Sequence, residues 1–261
     1  MLVKDIITLT EKIAPPALAE GWDNVGLLAG DRNAEVKKIL FALDATDAVI
    51  DEAIAINADM IITHHPLIFK GVNAVNTDTA LGRRIIRLIK NNISVYSAHT
   101  NFDIAEGGTN SVLANLIGLE NTEGLIPSGE SFLGKVGDLP QPMTLSTLSK
   151  LLMTKLNAPA LNVTGSADKE IKRVGLCTGS GAGRDLMLAA KNKGCDAYIT
   201  GDVKYHDAQF AADLDIAIID ATHYYTEAIA IPYLCSRIAA ECTAECVVTR
   251  TNGESFTTIT R

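Results

Sequence analysis

Short apolar runs recur along this chain between longer stretches of helical periodicity, and that alternation constrains the fold more than any other feature. VGLLA at 25–29, KILFAL at 38–43, DMIIT at 59–63 and ISVYS at 93–97 read as buried strands. Residues 46–57 and 79–91 carry helical spacing, and an opening helix over 4–14 stops at Pro15-Pro16. Gly107-Gly108 precedes a helix over 109–118. The second half keeps the rhythm, with helices at 144–156, 183–193, 206–213 and 224–241 alternating with strands at 172–177, 196–200, 216–220 and 245–250. Strands separated by helices imply sheets covered on both faces, the α/β class.

The chain has 261 residues, room for about two domains. Gly, Pro and polar residues are enriched over 120–143, which places a boundary near 125. A faint internal repeat supports two related halves. Asp59-Met-Ile-Ile-Thr-His-His65 aligns with Asp196-Ala-Tyr-Ile-Thr-Gly-Asp202. Lys37 precedes Asp59, and Lys172 precedes Asp196, at nearly the same spacing. Each half then runs through a helix into another strand, ending in Ser97-Ala-His-Thr100 or Asp220-Ala-Thr-His223. Unrelated βαβ units would give the same weak match, so the residues leave duplication and coincidence both open. If the repeat is real, equivalent strand ends of the two halves face one site.

Charge and composition exclude several functions. Lys plus Arg is 23 against 31 Asp plus Glu, a net charge of −8, so no nucleic-acid backbone is expected as a partner. One Trp, six Tyr and six Phe are few, so no base-stacking platform is expected. No apolar run approaches the ~20 residues that cross a bilayer, so no membrane partner is expected. MLVKDIITLT at the start lacks the apolar core of a secretory signal, and a cytoplasmic location follows as the expectation. The five cysteines (Cys177, Cys195, Cys235, Cys242, Cys246) show no C-x-x-C spacing and read as small buried residues. Cys242 and Cys246 could share a helix face, but two more ligands for a thiolate zinc site are missing.

The histidines carry the chemistry. His64 and His65 follow the strand IIT directly and are stopped by Pro66. Ligands gather at the carboxyl ends of parallel strands, and at a fraying end two adjacent side chains can turn to one site. His99 also ends a strand, with Asp103 four residues on. That pair fits a divalent ion, or else Asp103 merely caps a turn. His223 opens a helix after the strand IAIID, with Glu227 one turn on and ~6 Å away on the same face. That is the spacing of helical metal-ligand pairs, or of a helix-start His with a carboxylate on the macrodipole. Four of the five histidines thus sit in strand-end pairs, which scattered placement would rarely produce. The donors exceed what one tetrahedral ion needs and suggest two ions. His206, at a helix start, reads as a bystander.

With these residues in place, the chain resembles the GTP cyclohydrolase 1 type 2 homologues, also called Nif-three-like dinuclear metal centre proteins. The matching stretches are Gly21-Trp-Asp-Asn-Val-Gly-Leu27, Thr63-His-His-Pro-Leu-Ile-Phe69, Ser97-Ala-His-Thr-Asn-Phe-Asp103, Gly107-Gly-Thr-Asn110, Gly179-Ser-Gly181, Thr200-Gly-Asp202 and His223-Tyr-Tyr-Thr-Glu227. The resemblance implies two similar three-layer α/β domains with mixed, largely parallel sheets around a shared dinuclear metal cleft. The domains would be 1–125 plus 223–261, and 126–222, without the mid-chain insertion some members carry. By position, His64, His65, Asp103, His223 and Glu227 would hold two divalent ions per subunit. His99 would stand beside them without needing to ligate. The resemblance also implies a toroidal homohexamer with the metal sites facing its cavity. Phe102 stands where Leu is more usual, an apolar exchange outside the chemistry.

Two divalent ions would activate water for attack on carbon or phosphorus. The reading is a metal-dependent hydrolase acting on a small nucleotide, with GTP ring opening as the named candidate. His99 is the candidate catalytic group, moving a proton near neutral pH. Imidazole with carboxylate suits Zn, Fe, Mn, Co or Ni. The alternatives are a non-enzymatic metal-binding, metal-delivery or regulatory protein, and a metal-dependent phosphoesterase. Gly179-Ser-Gly-Ala-Gly183 either offers amides to phosphate or makes a tight strand–helix turn. Trp22-Asp-Asn-Val25 either reaches the cleft mouth or caps the first strand.

Overall fold

A computed structural model describes residues 1–259. In chain order the elements are α1 (Val3–Ile13), β1 (Gly26–Ala29), β2 (Lys38–Ala42), α2 (Asp47–Ala55), β3 (Met60–Thr63), α3 (Ala80–Lys90), β4 (Ser94–Ser97), α4 (Thr100–Ile104) and α5 (Thr109–Leu116). There follow β5 (Glu120–Ser128), β6 (Ser131–Thr144), α6 (Leu145–Leu156), β7 (Asn162–Val163), β8 (Glu170–Leu176), α7 (Arg184–Asn192) and β9 (Ala197–Thr200). The chain ends through α8 (Tyr205–Asp213), β10 (Ala217–Asp220), α9 (His223–Ala228), α10 (Ala230–Ala239) and β11 (Glu245–Val248). No helix among the described residues is long and apolar enough to cross a membrane.

The chain forms two compact units. The first comprises Met1–Ala105 with Ala230–Gly253. Its five-stranded sheet runs β1-β4-β3-β2-β11, parallel throughout except for β1. Alternation along the strands divides the core. Leu40, Ala42, Ile61 and Val95 pack with Val49, Ile50 and Ala53 of α2 and Leu88 of α3. Ile39, Phe41, Met60, Ile62 and Tyr96 point to the other face and are also buried. There α10 packs on β2, and α1 packs on α10. Thr46 and Thr79 start α2 and α3 by accepting the backbone N–H of Val49 and Gly82.

The second unit comprises Glu106–Ile229 with the described residues 254–259. Its sheet runs β5-β6-β8-β9-β10-β7, with β8, β9 and β10 parallel and the outer strands antiparallel. Val174, Leu176, Ile199 and Ile219 face a core filled by Leu113 of α5 and Leu148 and Leu152 of α6. Tyr198, Ile216 and Ile218 face Leu186, Met187 and Ala211 of α7 and α8.

The internal repeat is a repeat of structure. The Asp59 carboxylate accepts the backbone N–H groups of Lys37 and Lys38 at 2.7 and 2.9 Å. The Asp196 carboxylate accepts those of Lys172 and Arg173 at 2.8 and 3.0 Å. In both units an aspartate opening the middle strand thus caps the start of its neighbour, and the same parallel three-strand core follows.

Three expectations need correction. The Gly/Pro-rich stretch over 120–143 is the β5–β6 hairpin inside the second unit, not a boundary. A Cβ on Gly124 would lie 2.0 Å from Phe132 Cγ, so this glycine serves close ring packing rather than flexibility. The units divide at 105/106 and 229/230 rather than at 125/126 and 222/223. Leu113, Ala114 and Ile117 of α5 and Tyr225 and Ile229 all pack into the core of the second sheet, which carries those segments with it. The expected helix over 224–241 is two helices, broken at Ile229. Pro232 has no N–H for the Ala228 carbonyl, and its ring crowds that carbonyl.

Cys177, Cys195 and Cys235 are buried as expected, and burial pushes the Cys195 thiol up to about 12. Cys242 and Cys246 do not share a helix face. They meet across the α10–β11 turn, with Sγ atoms 3.5 Å apart.

Candidate functional site

In the first unit, β3 and β4 end side by side, with Thr63 registered against Ser97. Their hydroxyls lie 2.7 Å apart, and the Thr63 hydroxyl donates to the His65 carbonyl at 2.8 Å. That buried knot turns the chain where regular strand geometry would send His64 and His65 to opposite faces. Their ring centroids are 5.2 Å apart, and His99 lies 5.1 and 5.5 Å from them. One ring nitrogen from each of the three lies within 4.8 Å of the others.

Each ring is held through Nδ1. His64 Nδ1 is 2.9 Å from the Ala98 carbonyl, His65 Nδ1 2.9 Å from Asp44 Oδ1, and His99 Nδ1 2.9 Å from Asp23 Oδ1. These oxygens only accept, so Nδ1 carries a proton, and the neutral tautomer of each ring has its lone pair on Nε2. Metal-binding imidazoles are oriented in this way. His64 Nε2 stands 3.5 Å from Asp103 Oδ1. In the neutral tautomer that lone pair and the carboxylate repel unless a proton or a metal cation joins them.

His99 and Asp103 do not act as one pair. His99 is the residue before α4 and turns to Asp23, whereas Asp103 lies within α4 and turns to His64. Asn101, fully buried, anchors this segment by donating to the Ala14 carbonyl and accepting the His99 N–H.

In the second unit His223 and Glu227 lie one turn apart on α9, with Nε2 and Oε2 3.0 Å apart. His223 Nδ1 is 2.8 Å from Asp202 Oδ2. With a carboxylate at each nitrogen the ring either donates to both as imidazolium or, when neutral, turns a lone pair to Glu227, where a divalent ion would join the two. Thr222, just before α9, has φ +61 and ψ 160, a region otherwise left to glycine and costing ~1–3 kcal/mol. Its hydroxyl accepts the Tyr225 N–H and its carbonyl accepts the Thr226 hydroxyl, so the strained residue fixes the direction of α9.

Gly179 approaches Glu227 closely. A Cβ there would meet Glu227 Oε1 at 2.0 Å, and φ is +65. The Gly179 N–H donates to Thr226 Oγ1, and the Gly181 N–H to the Gly179 carbonyl. The loop is therefore the tight turn, with these two amides directed inward. Thr178, its neighbour, is tied to Thr109 and Asn110 of α5. The GGTN stretch thus braces the loop from behind. His206 is exposed and bonds Gln209, as a bystander would.

The sequence reading passed over Asp23, Asp44 and Asp202. Asp23 lay in a stretch with two open readings, and it does more than cap a strand. Its buried carboxylate accepts from His99 and from the Thr100 amide and hydroxyl. Burial raises its carboxyl, and these bonds outweigh that effect and hold it at about 2. Asp202 could have been found, because it aligns with His65 in the repeat. Asp44, just past the end of β2, had no motif to mark it.

The profile of Duf34/NIF3 (NGG1p interacting factor 3) matches residues 1–254. The chain belongs to the Duf34/NIF3 family. A Clostridium acetobutylicum relative named GTP cyclohydrolase 1 type 2 homolog is 42% identical over 229 residues, 86% of this chain and 85% of that one. A Clostridium perfringens relative of the same name is 41% identical, covering 87% of each. Among solved structures, a Bacillus cereus protein related to NIF3 superposes with a TM-score of 0.93 at 26% identity, covering 99% of both chains. Reduced HcgD from Methanocaldococcus jannaschii superposes at 0.85 with 30% identity, covering 96% of this chain and 98% of that one. Within this Duf34/NIF3 chain the donors that could hold metal are imidazole nitrogens and carboxylate oxygens, a set that suits Zn, Fe, Mn, Co or Ni.

Proposed function

We propose that this protein binds two divalent ions through His64, His65, Asp103, His223 and Glu227 and hydrolyses a small nucleotide, GTP ring opening being the candidate reaction. The observation that carries the reading is the Nδ1 anchoring of His64, His65 and His223, which turns Nε2 outward as a ligand atom. Bound ions would supply Lewis acidity and lower the pKa of nearby water. His99, braced by Asp23, is the group that moves a proton at Nε2. The names of the Clostridium relatives support GTP as the first substrate to try. The protein is proposed to act in the cytoplasm as a ring-shaped homohexamer.

The test is incubation of the protein, loaded in turn with Zn, Mn, Fe or Co, with GTP. Formate release and a fluorescent pterin after oxidation are expected, and no turnover with any metal would overturn the reaction. One observation favours a second reading, metal delivery or storage without catalysis. The Gly179–Gly183 loop turns two of its amides inward and so does not present them to a triphosphate. That reading predicts transfer of metal to an apo-acceptor and no turnover of GTP or of a panel of nucleotide esters.

A further inference from the structure

Trp22 and Phe69 are large aromatic side chains left 59% and 45% exposed. Their ring centroids are 5.8 Å apart with the planes tilted by 56°. Both stand against His99, at 6.1 and 6.3 Å, edge-on to its ring. The exposed pair is therefore the immediate neighbour of the three imidazoles of the first unit.

The segment that carries Trp22 is fastened rather than loose. The Glu20 N–H donates to Thr100 Oγ1 at 3.0 Å, and the Asp23 carboxylate binds His99 and the Thr100 amide. The Asn24 side chain donates to the Ile68 carbonyl at 2.5 Å, which ties the Trp22 segment to the one carrying Phe69. Holding two apolar rings in water at a fixed spacing is unfavourable for the free protein. It does preorganise a surface for a partner with a flat π face.

We propose that Trp22 and Phe69 form a stacking platform for a planar heteroaromatic ligand with the chemistry of a nucleobase. Two rings fall far short of the ~800 Å² per partner that a stable protein interface buries. They match the size of one base, and their tilt lets one ring stack while the other meets the base edge. A base seated there would lie one ring-width from His99. The proposal deepens the hydrolase reading by naming the part of the substrate that is gripped, and it rests on that reading only for the reaction that follows.

The experiment exploits the fact that Trp22 is the one tryptophan in the chain, so fluorescence excited on the red edge, where the six tyrosines do not absorb, reports on the platform alone. The metal-loaded protein is titrated with guanosine 5′-monophosphate and, separately, with ribose 5-phosphate. Saturable quenching by the first and none by the second is expected. Calorimetry should show Trp22→Ala and Phe69→Ala weakening guanosine monophosphate by about five- to hundredfold, with Trp22→Phe retaining most of the affinity. Equal response to both probes, or unchanged affinity in both alanine variants, overturns the proposal. So does a change of mass by light scattering with nucleotide affinity intact, which makes the pair a subunit contact. Metal content measured on the same samples separates the two ideas. Full metal without quenching sinks the platform alone, whereas quenching by protein that cannot hold metal sinks the metal reading and keeps the platform.

Discussion

The carboxylate of Asp23 and the imidazole of His99, 76 residues apart in sequence, meet at 2.9 Å. With the Thr100 amide and hydroxyl, they make Asp23 the hub of a small buried network that aims His99. Replacing Asp23 by Ala leaves these donors and the Asn24 amide without their acceptor and should cost about 2–4 kcal/mol by urea denaturation. Asp23→Asn keeps an acceptor and should recover part of that loss. Equal stability of Asp23→Ala and the native protein would show that the network carries no weight.

Metal content tests the proposed ligands directly. His64→Ala and Glu227→Ala should each reduce bound metal in elemental analysis of purified protein. Full stoichiometry in both variants would remove the proposed centre.

The aspartates behind the imidazoles give a graded version of that test. Asp44 orients His65 and Asp202 orients His223. Asp44→Ala and Asp202→Ala should leave the ligands in place yet weaken metal affinity by about 10–100-fold, measured by competition with a chelator. Unchanged affinity in both would mean that the carboxylates do not set the ring orientation.

Gly179 should tolerate no side chain. In Gly179→Ala the new methyl group meets the Glu227 carboxylate, and the backbone has φ +65. We expect an intact far-UV spectrum, a modest loss of stability of about 1–2 kcal/mol, and loss of metal. Retention of metal at native affinity would show that Glu227 moves without consequence.

Glu52 predicts a pH dependence away from the site. Burial raises its carboxyl, and hydrogen bonds from Thr249, Thr251 and the Arg250 amide outweigh that and hold it below the usual 4.5. A carboxyl lowered in the folded state stabilises above its unfolded pKa, and that contribution fades as pH falls through the folded value. Urea midpoints between pH 6 and 3 should therefore fall more steeply for the native protein than for Glu52→Gln. Parallel profiles would refute the link.

Much of this protein was legible in its sequence. Apolar runs of strand length alternate with helical periodicity, and burial of a sheet on both faces follows from that pattern alone. The strand-end pairs His64/His65 and His223/Glu227 were legible for the same local reason, because a strand terminus or one helical turn fixes their geometry. Where local cues failed, distant packing had decided. The Gly/Pro-rich stretch around Gly124 reads as a domain boundary until Phe132 is seen lying against it. The helix expected over 224–241 needed Pro232 weighed against its periodicity. The units divide where α5 and α9 find their core, which no composition shift announces.

The sequence by itself determined the class of fold, the alternation of its core strands and helices and the donor types at the strand ends, because these rest on periods of two and 3.6 residues. Only the tertiary structure decided which oxygen orients each imidazole. Asp23, Asp44 and Asp202 reach their histidines across 76, 21 and 21 residues. Hydrogen bonds of 2.8–2.9 Å between such distant groups depend on how strands and loops are placed in space, and no local pattern encodes that placement.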